Sequence, residues 1–224
     1  MIQVNLQTNT AQRVPLPQFL KGLKPESLKD LSWTDPALNL HGYGWWPELD
    51  QSPGLSEFER HGGETLTVDA DNQRVIVVRA VVPWSQSEID AHYQDLINSA
   101  CAQINDDRDE RLAAGVEFDG IVYQSREIDH TRVNGLYSRA LRAQSQGSGT
   151  AGDYRWFNPE VDFSYTAADN SEHLMDADTV ISMGEEFANR QLVLIKYAQS
   201  VKGQLRLAKS KFEIDAIMED VVWP

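Results

Sequence analysis

The apolar positions along this chain change period from place to place, and those changes divide it into elements. At residues 2–6 the run IQVNL alternates apolar and polar residues, which predicts a short strand. Pro15, Pro17, Pro25 and Pro36 then interrupt any regular period, leaving one or two helical turns at residues 25–31. The stretch LHGYGWWPELDQSPG, from Leu40, is rich in aromatics but broken by Gly and Pro. It predicts an ordered loop whose aromatics pack on a neighbouring sheet. ETLTVD at 64–69 and QRVIVVRAVV at 73–82 flank an Asp-Asn turn and carry strand-favouring Thr, Val and Ile, which predicts a β-hairpin.

Beyond Trp84 the period lengthens. Ser85-Gln86-Ser87-Glu88 has the spacing of a capping box, and Ile89, Tyr93, Leu96/Ile97, Ala100 and Ile104 recur every three or four residues. The helix so predicted continues through the charged DDRDERLAA and stops at Gly115, so its second half is expected to cross solvent as a connector. VEFDGIVYQ predicts a tight hairpin with Asp119-Gly120 in a type I′ turn. Asp129 is expected to cap a second helix with Val133, Leu136/Tyr137 and Ala140/Leu141 turned inward, ended by QGSGTAG. YRWFN and DFSYTA predict two further strands around Asn158-Pro159. Asp176 is expected to cap a long last helix reaching about Lys209, striped by Val180, Met183, Phe187, Leu194, Ala198, Val201, Leu205 and Ala208, before a short helical FEIDAIMED. The expected fold class is α+β: an irregular β-rich N-terminal domain (residues 1–84), a connecting helix (85–114) and a C-terminal domain of β-hairpins packed on helices (115–224).

Composition narrows the classes of partner. The formal net charge of -14 is shared by both halves, with 9 Lys+Arg against 17 Asp+Glu in residues 1–115 and 11 against 17 in residues 116–224. No basic stripe stands out, so neither a nucleic acid nor an anionic membrane surface is the expected partner. The lone Cys101 precludes an intrachain disulfide and sits beside the Ala100/Ile104 stripe, as a small buried hydrophobe would. No signal peptide is expected at the N-terminus, and no run of about 18 apolar residues predicts a membrane span.

The candidate chemical motifs each have a plainer reading. Gly147, Gly149 and Gly152 spell G-x-G-x-x-G, but a helix precedes them and a strand follows, the reverse of a dinucleotide site, so a loop is expected. Asp69-Ala70-Asp71-Asn72-Gln73 begins like a calcium loop, yet Arg74 and Ala80 stand where Gly and Glu are needed. The histidines His41, His61, His92, His130 and His173 have no zinc spacing, so no metal or other cofactor is expected. A carboxylate pair for glycoside hydrolysis needs a separation that sequence does not show. Tyr43, Trp45 and Trp46, with Trp84, serve either as a small domain's core or as an exposed stacking surface, and Gly42 and Gly44 favour exposure. Leu194 and Tyr197 belong to an apolar excess, LVLIKY, on the last helix, whose later part is basic.

The order helix, hairpin, helix, hairpin, long helix adds a resemblance. RLAAGVEFDGIVYQSRE, RWFNPEVDFSYTAADNSEHLMDADTVISMGEEFANR and the closing VVWP resemble a bacteriophage family: the domain of unknown function at the C-terminus of tail proteins and tail-fibre assembly proteins. Arg111, Gly115, Phe118, Gly120, Trp156, Leu174 and Trp223 carry the likeness, over about residues 106–224. The polar loop at 144–153 and the aromatic N-terminal half depart from it. The resemblance implies a non-enzymatic accessory protein that binds a phage tail-fibre or baseplate protein and assists its assembly, located on the virion tail or in the host cytoplasm during assembly. It supplies no catalytic residues and leaves oligomeric state open. A permanent structural part of the fibre attachment region is the alternative, and a carbohydrate-recognition module built on Tyr43, Trp45 and Trp46 is a third. The partner-binding candidates are therefore Tyr43, Trp45, Trp46, Leu194 and Tyr197.

Overall fold

A computed structural model describes every residue, Met1–Pro224, and the chain has an α+β fold. It divides into two compact units, Met1–Asp90 and Ala91–Pro224.

The first unit is built on two small sheets. Strand β1 (Ile2–Asn5) pairs antiparallel with β2 (Thr10–Gln12) on one side and with β3 (Tyr43–Trp46) on the other. A single helical turn, α1 (Pro25–Leu28), lies between β2 and β3 in the chain. Strand β4 (Glu48–Asp50) runs parallel to β6 (Arg74–Pro83), which pairs antiparallel with β5 (Glu59–Asp69). The β5–β6 turn is closed by the Asp69 carboxylate, which accepts from the Asn72 side chain at 2.9 Å and from Arg74 Nε at 2.7 Å, so its acids hold a hairpin.

The Tyr-Gly-Trp-Trp segment corrects the expected aromatic loop. It is a strand, and because neighbouring strand residues point to opposite faces, Trp45 and Trp46 enter different cores. Trp46 joins Ile2, Val4, Val75 and Val77, while Trp45 joins Leu20, Leu28 and Leu31. Each indole N–H is satisfied inside, Trp45 Nε1 donating to Val14 O at 3.2 Å and Trp46 Nε1 to Lys29 O at 2.8 Å. Gly44 is needed for close approach, since a Cβ there would fall 2.1 Å from Lys29 O. The glycine that argued for an exposed loop is therefore a sign of tight packing.

The second unit is organised by helices. Helix α2 (Gln86–Ala113) starts with the expected box, Ser85 N–H donating to Glu88 Oε2 at 2.7 Å. Gly115, at φ +113°, ends it, and strands β7 (Val116–Phe118) and β8 (Ile121–Tyr123) follow through a turn with Asp119 and Gly120 at φ 51° and 73°. Those two positive φ values fit the I′ turn read from the sequence. Helix α3 (Glu127–Ser145) is capped three residues earlier than expected: Arg126, not Asp129, is the N-cap, and Asp129 is N3, its carboxylate accepting from Arg126 N–H at 3.2 Å. Of the two strands predicted around Asn158-Pro159, DFSYTA contains one, and YRWFN is corrected. Residues 154–163 form turns with one isolated Asn158–Val161 bridge, and the hairpin lies later, in β9 (Ser164–Thr166) and β10 (Glu172–Leu174). There the aromatics Trp156, Phe157 and Phe163 stack on one another, with ring centroids 5.1–5.6 Å apart, instead of alternating across a sheet.

Helix α4 (Ala177–Leu205) serves two cores in turn, and α5 (Lys211–Glu219) completes the second of them. Val180, Met183 and Phe187 pack with Val133, Ala140, Val116 and Tyr123. Further along, Ala198, Val201 and Leu205 pack with Ile97, Ala100 and Ile104 of α2 and Ile214 of α5. The apolar stripe of α2 is thus part of a core wall, and its charged end stays outward. Cys101 is half-buried beside this second core.

One carboxylate ties the start of α4 to the loop before it. Asp176 accepts from Thr179 N–H at 2.8 Å, capping the helix, and from Gly152 N–H at 2.8 Å. Burial alone would raise the Asp176 pKa, but these hydrogen bonds outweigh it and hold it below the ordinary carboxylate value. A depressed folded pKa makes this stabilisation complete above the unfolded pKa, about 4, and lost as pH falls through the folded value. Asp176→Asn keeps an acceptor for Thr179 N–H but sets an amide donor against Gly152 N–H, and is expected to cost about 1–3 kcal/mol in urea unfolding at pH 7, with the gap to the parent protein narrowing on acidification. Equal stability at pH 7 would contradict this account.

Candidate functional site

The sequence-predicted contact residues fall mostly inside the molecule. Trp45, Trp46 and Leu194 are 1%, 4% and 1% exposed, so none of them offers a surface to a partner. The stacking platform expected of a carbohydrate module is thereby enclosed. Tyr43 is half-buried against the Trp45 core. Tyr197 is also half-buried, its ring 5.0 Å from that of Trp223 and its hydroxyl accepting from Val222 N–H at 2.9 Å. The helix that places Leu194 inward turns Leu192 and Val193 outward, because the stripe of α4 is read at helical spacing and not as a block.

A different surface brings chemistry together, and it starts from the sequence of α3. One face of this helix is buried through Val133, Ala140 and Ala143. Tyr137 adds close contact with α4, where a Cβ on Gly184 would lie 2.6 Å from its ring. Arg132, Gly135, Arg139 and Arg142 follow at spacings of three and four, which lines them along another face. The aromatic turn at 154–163 lies against that face. The guanidinium of Arg139 sits 3.6 Å over the centroid of the Phe157 ring, and its Nη2 donates to Phe157 O at 3.1 Å. Trp156 anchors the turn from beneath, Nε1 donating to Met175 O at 2.9 Å.

The result is a groove with two contrasting ends. On one side of Gly135 lies an apolar slot formed by Leu136, Phe157, Phe163 and Tyr165. On the other is a polar trough with Ser138, Arg142, Gln146 and Ser148. Gly135 keeps the middle open, since a Cβ there would meet nothing within 4 Å. Burial, then the charge of Asp129, raises the Tyr165 phenol above its ordinary pKa, so it lines the slot as a neutral ring at physiological pH.

The charges of the groove are unequally matched. Arg132 and Arg126 both face Asp129, at 3.3 and 2.8 Å, and Arg155 faces Asp162 at 2.9 Å. The hydrogen bond from Arg126 holds the Asp129 carboxyl below its ordinary value. Arg139 and Arg142 have no carboxylate within ion-pair distance. A guanidinium held over an aromatic ring keeps the N–H groups not given to Phe157 O available to an acceptor, and a carboxylate is the group that suits them best.

The glycine loop offers no comparable site. Gly149 N–H donates to Asp153 at 2.8 Å and Gly152 N–H to Asp176 at 2.8 Å, so carboxylates already take up backbone donors that a phosphate would use. No three His, Cys, Asp or Glu side chains converge to hold a metal, and no helix is long and apolar enough to cross a membrane.

Residues 95–222, more than half of the chain, match the profile of the domain of unknown function DUF4376. The chain belongs to the DUF4376 family. The whole groove lies within the DUF4376 stretch, whereas Tyr43, Trp45 and Trp46 lie outside it. No curated protein and no solved structure matches the chain. Sequence reasoning missed Arg139, Arg142 and Phe157, although the spacing of Arg132, Gly135, Arg139 and Arg142 on one helical face was there to be read. In this DUF4376 protein Gly135 sits in helical backbone with open space around it, so Gly135→Ala is expected to raise stability by roughly 0.5–1 kcal/mol. A lowered unfolding midpoint would show that the notch is occupied by the protein itself.

Proposed function

We propose that this protein is a non-enzymatic phage tail-fibre accessory protein that binds a fibre or baseplate protein and assists its assembly, on the virion tail or in the host cytoplasm while tails are built. The observation that carries this reading is the α3 groove, where a stacked arginine without a counterion lies beside a half-buried aromatic slot that opens to solvent. Arginine and aromatic side chains gathered at one solvent-facing cleft are the residues on which protein contacts concentrate. The likeness of residues 106–224 to tail and tail-fibre assembly proteins supplies the partner class, and the groove falls inside that stretch.

Co-expression with the fibre protein from the same phage tests the reading. Soluble, correctly assembled fibre is expected to rise several-fold when this chain is present, and the two are expected to co-elute before assembly is complete. Mass spectrometry of purified virions separates an assembly factor, absent from particles, from a resident tail component. Fibre that assembles equally well without the chain, together with no association with fibre or baseplate protein, would refute the proposal.

A further inference from the structure

We infer that the α3 groove takes an extended peptide segment in which a large apolar side chain and a carboxylate project on the same side, two residues apart. This inference rests on the reading of the groove as a partner contact and names what it recognises. The polar end carries Arg139 and Arg142, neither matched by a carboxylate of this chain. The ring of Phe157 and the Phe157 carbonyl fix the Arg139 guanidinium in place, so little side-chain freedom is lost when a carboxylate docks. The apolar end is walled by Leu136, Phe157, Phe163 and Tyr165, with Arg132 and Arg139 at its border, and an inorganic anion would leave its apolar walls unused.

The spacing follows from helix and strand geometry. Gly135, at the mouth of the slot, is four residues from Arg139, a rise of about 6 Å along α3. In an extended peptide, side chains on the same side are about 7 Å apart, at positions i and i+2. An apolar residue in the slot therefore puts the side chain two positions away over Arg139 and Arg142.

Charge decides between a short acidic segment and a polyanion. The chain carries a net -14, and near the groove Arg126 and Arg132 share the one carboxylate of Asp129 while Arg155 is paired with Asp162. Beyond the two free guanidiniums the trough is lined by neutral Ser138, Gln146 and Ser148, so a phosphate backbone would find no continuous basic track. A single carboxylate needs no such track, since two guanidiniums within the Debye length of about 8 Å suffice for it.

The test uses the full chain, isotope-labelled, and a short peptide Gly-Ser-Phe-Ser-Glu-Ser-Gly with blocked ends. Titration followed by amide NMR is expected to shift residues of α3 near Gly135, Arg139 and Arg142 and of the turn near Phe157 and Phe163. Replacing the peptide's Glu by Lys, or its Phe by Gly, is expected to weaken binding about tenfold or more. Arg139→Lys and Arg142→Ala should do the same, and Gly135→Leu should block the slot while leaving the unfolding midpoint at or above that of the parent. Equal binding of the Glu and Lys peptides, insensitivity to Gly135→Leu, no shifts at millimolar peptide, or tighter binding of a single-stranded RNA oligomer to the same residues would each overturn the inference. Fibre association that survives Arg139→Ala with Arg142→Ala sinks this inference and leaves the accessory function standing. Peptide binding without fibre association does the reverse.

Discussion

The groove depends on the way the first residues of α4 hold the turn in front of it. Asp176 takes the Gly152 N–H, the Met175 carbonyl takes the Trp156 indole, and Met175 N–H donates to Phe163 O at 3.0 Å. These bonds pin both ends of residues 152–163, a stretch with almost no regular secondary structure of its own. Backbone in such a stretch must find partners outside a ladder, and here it finds them at a helix N-terminus, one of whose own orphan donors, Thr179 N–H, is met by the same Asp176. Helix α4 is a rigid support because its stripe is buried in two successive cores. The placement of Phe157 under Arg139 follows from this chain of contacts.

The elements with a strong period or a strong turn signal were legible. The β5–β6 hairpin, the β7–β8 hairpin with its Asp-Gly turn, the capping box at Ser85 and the Asp176 cap each follow from local chemistry, and each is in the structure. Where tertiary contacts decide, the sequence misleads. Gly42 and Gly44 look like loop glycines, but Gly44 is where the backbone at Lys29 lies against β3. YRWFN has strand-like residue types, yet its aromatics satisfy one another in a cluster, so no second strand is needed to bury them. The site was the least legible part. Burial of an aromatic pair and absence of an ion pair are properties of three-dimensional neighbours, and nothing local distinguishes Trp46 from Phe157 or Arg139 from Arg155.

The electrostatics sharpen this difference. Most of the arginines in the first unit face a carboxylate: Arg13 lies 3.0 Å from Glu48 and Arg74 lies 2.7 Å from Asp69. Exposed pairs of this kind contribute little to stability, typically about 0–1 kcal/mol, but they neutralise the cation. Arg139 and Arg142 keep theirs in a chain with a large excess of acid. Two unmatched guanidiniums one helical turn apart, one of them held on a ring, are a local departure from the chain's own charge balance. That departure, together with the open notch at Gly135, separates this surface from ordinary solvent-facing helix.

The most direct measurement is a hydrogen-exchange comparison of the protein alone with the protein mixed with fibre protein, the partner proposed for it. The account predicts that protection on binding is concentrated in peptides covering residues 132–146 and 154–166, with little change in those covering β3. Protection confined to other surfaces, with α3 and the aromatic turn exchanging as in the free protein, would contradict the assignment of the groove as the contact.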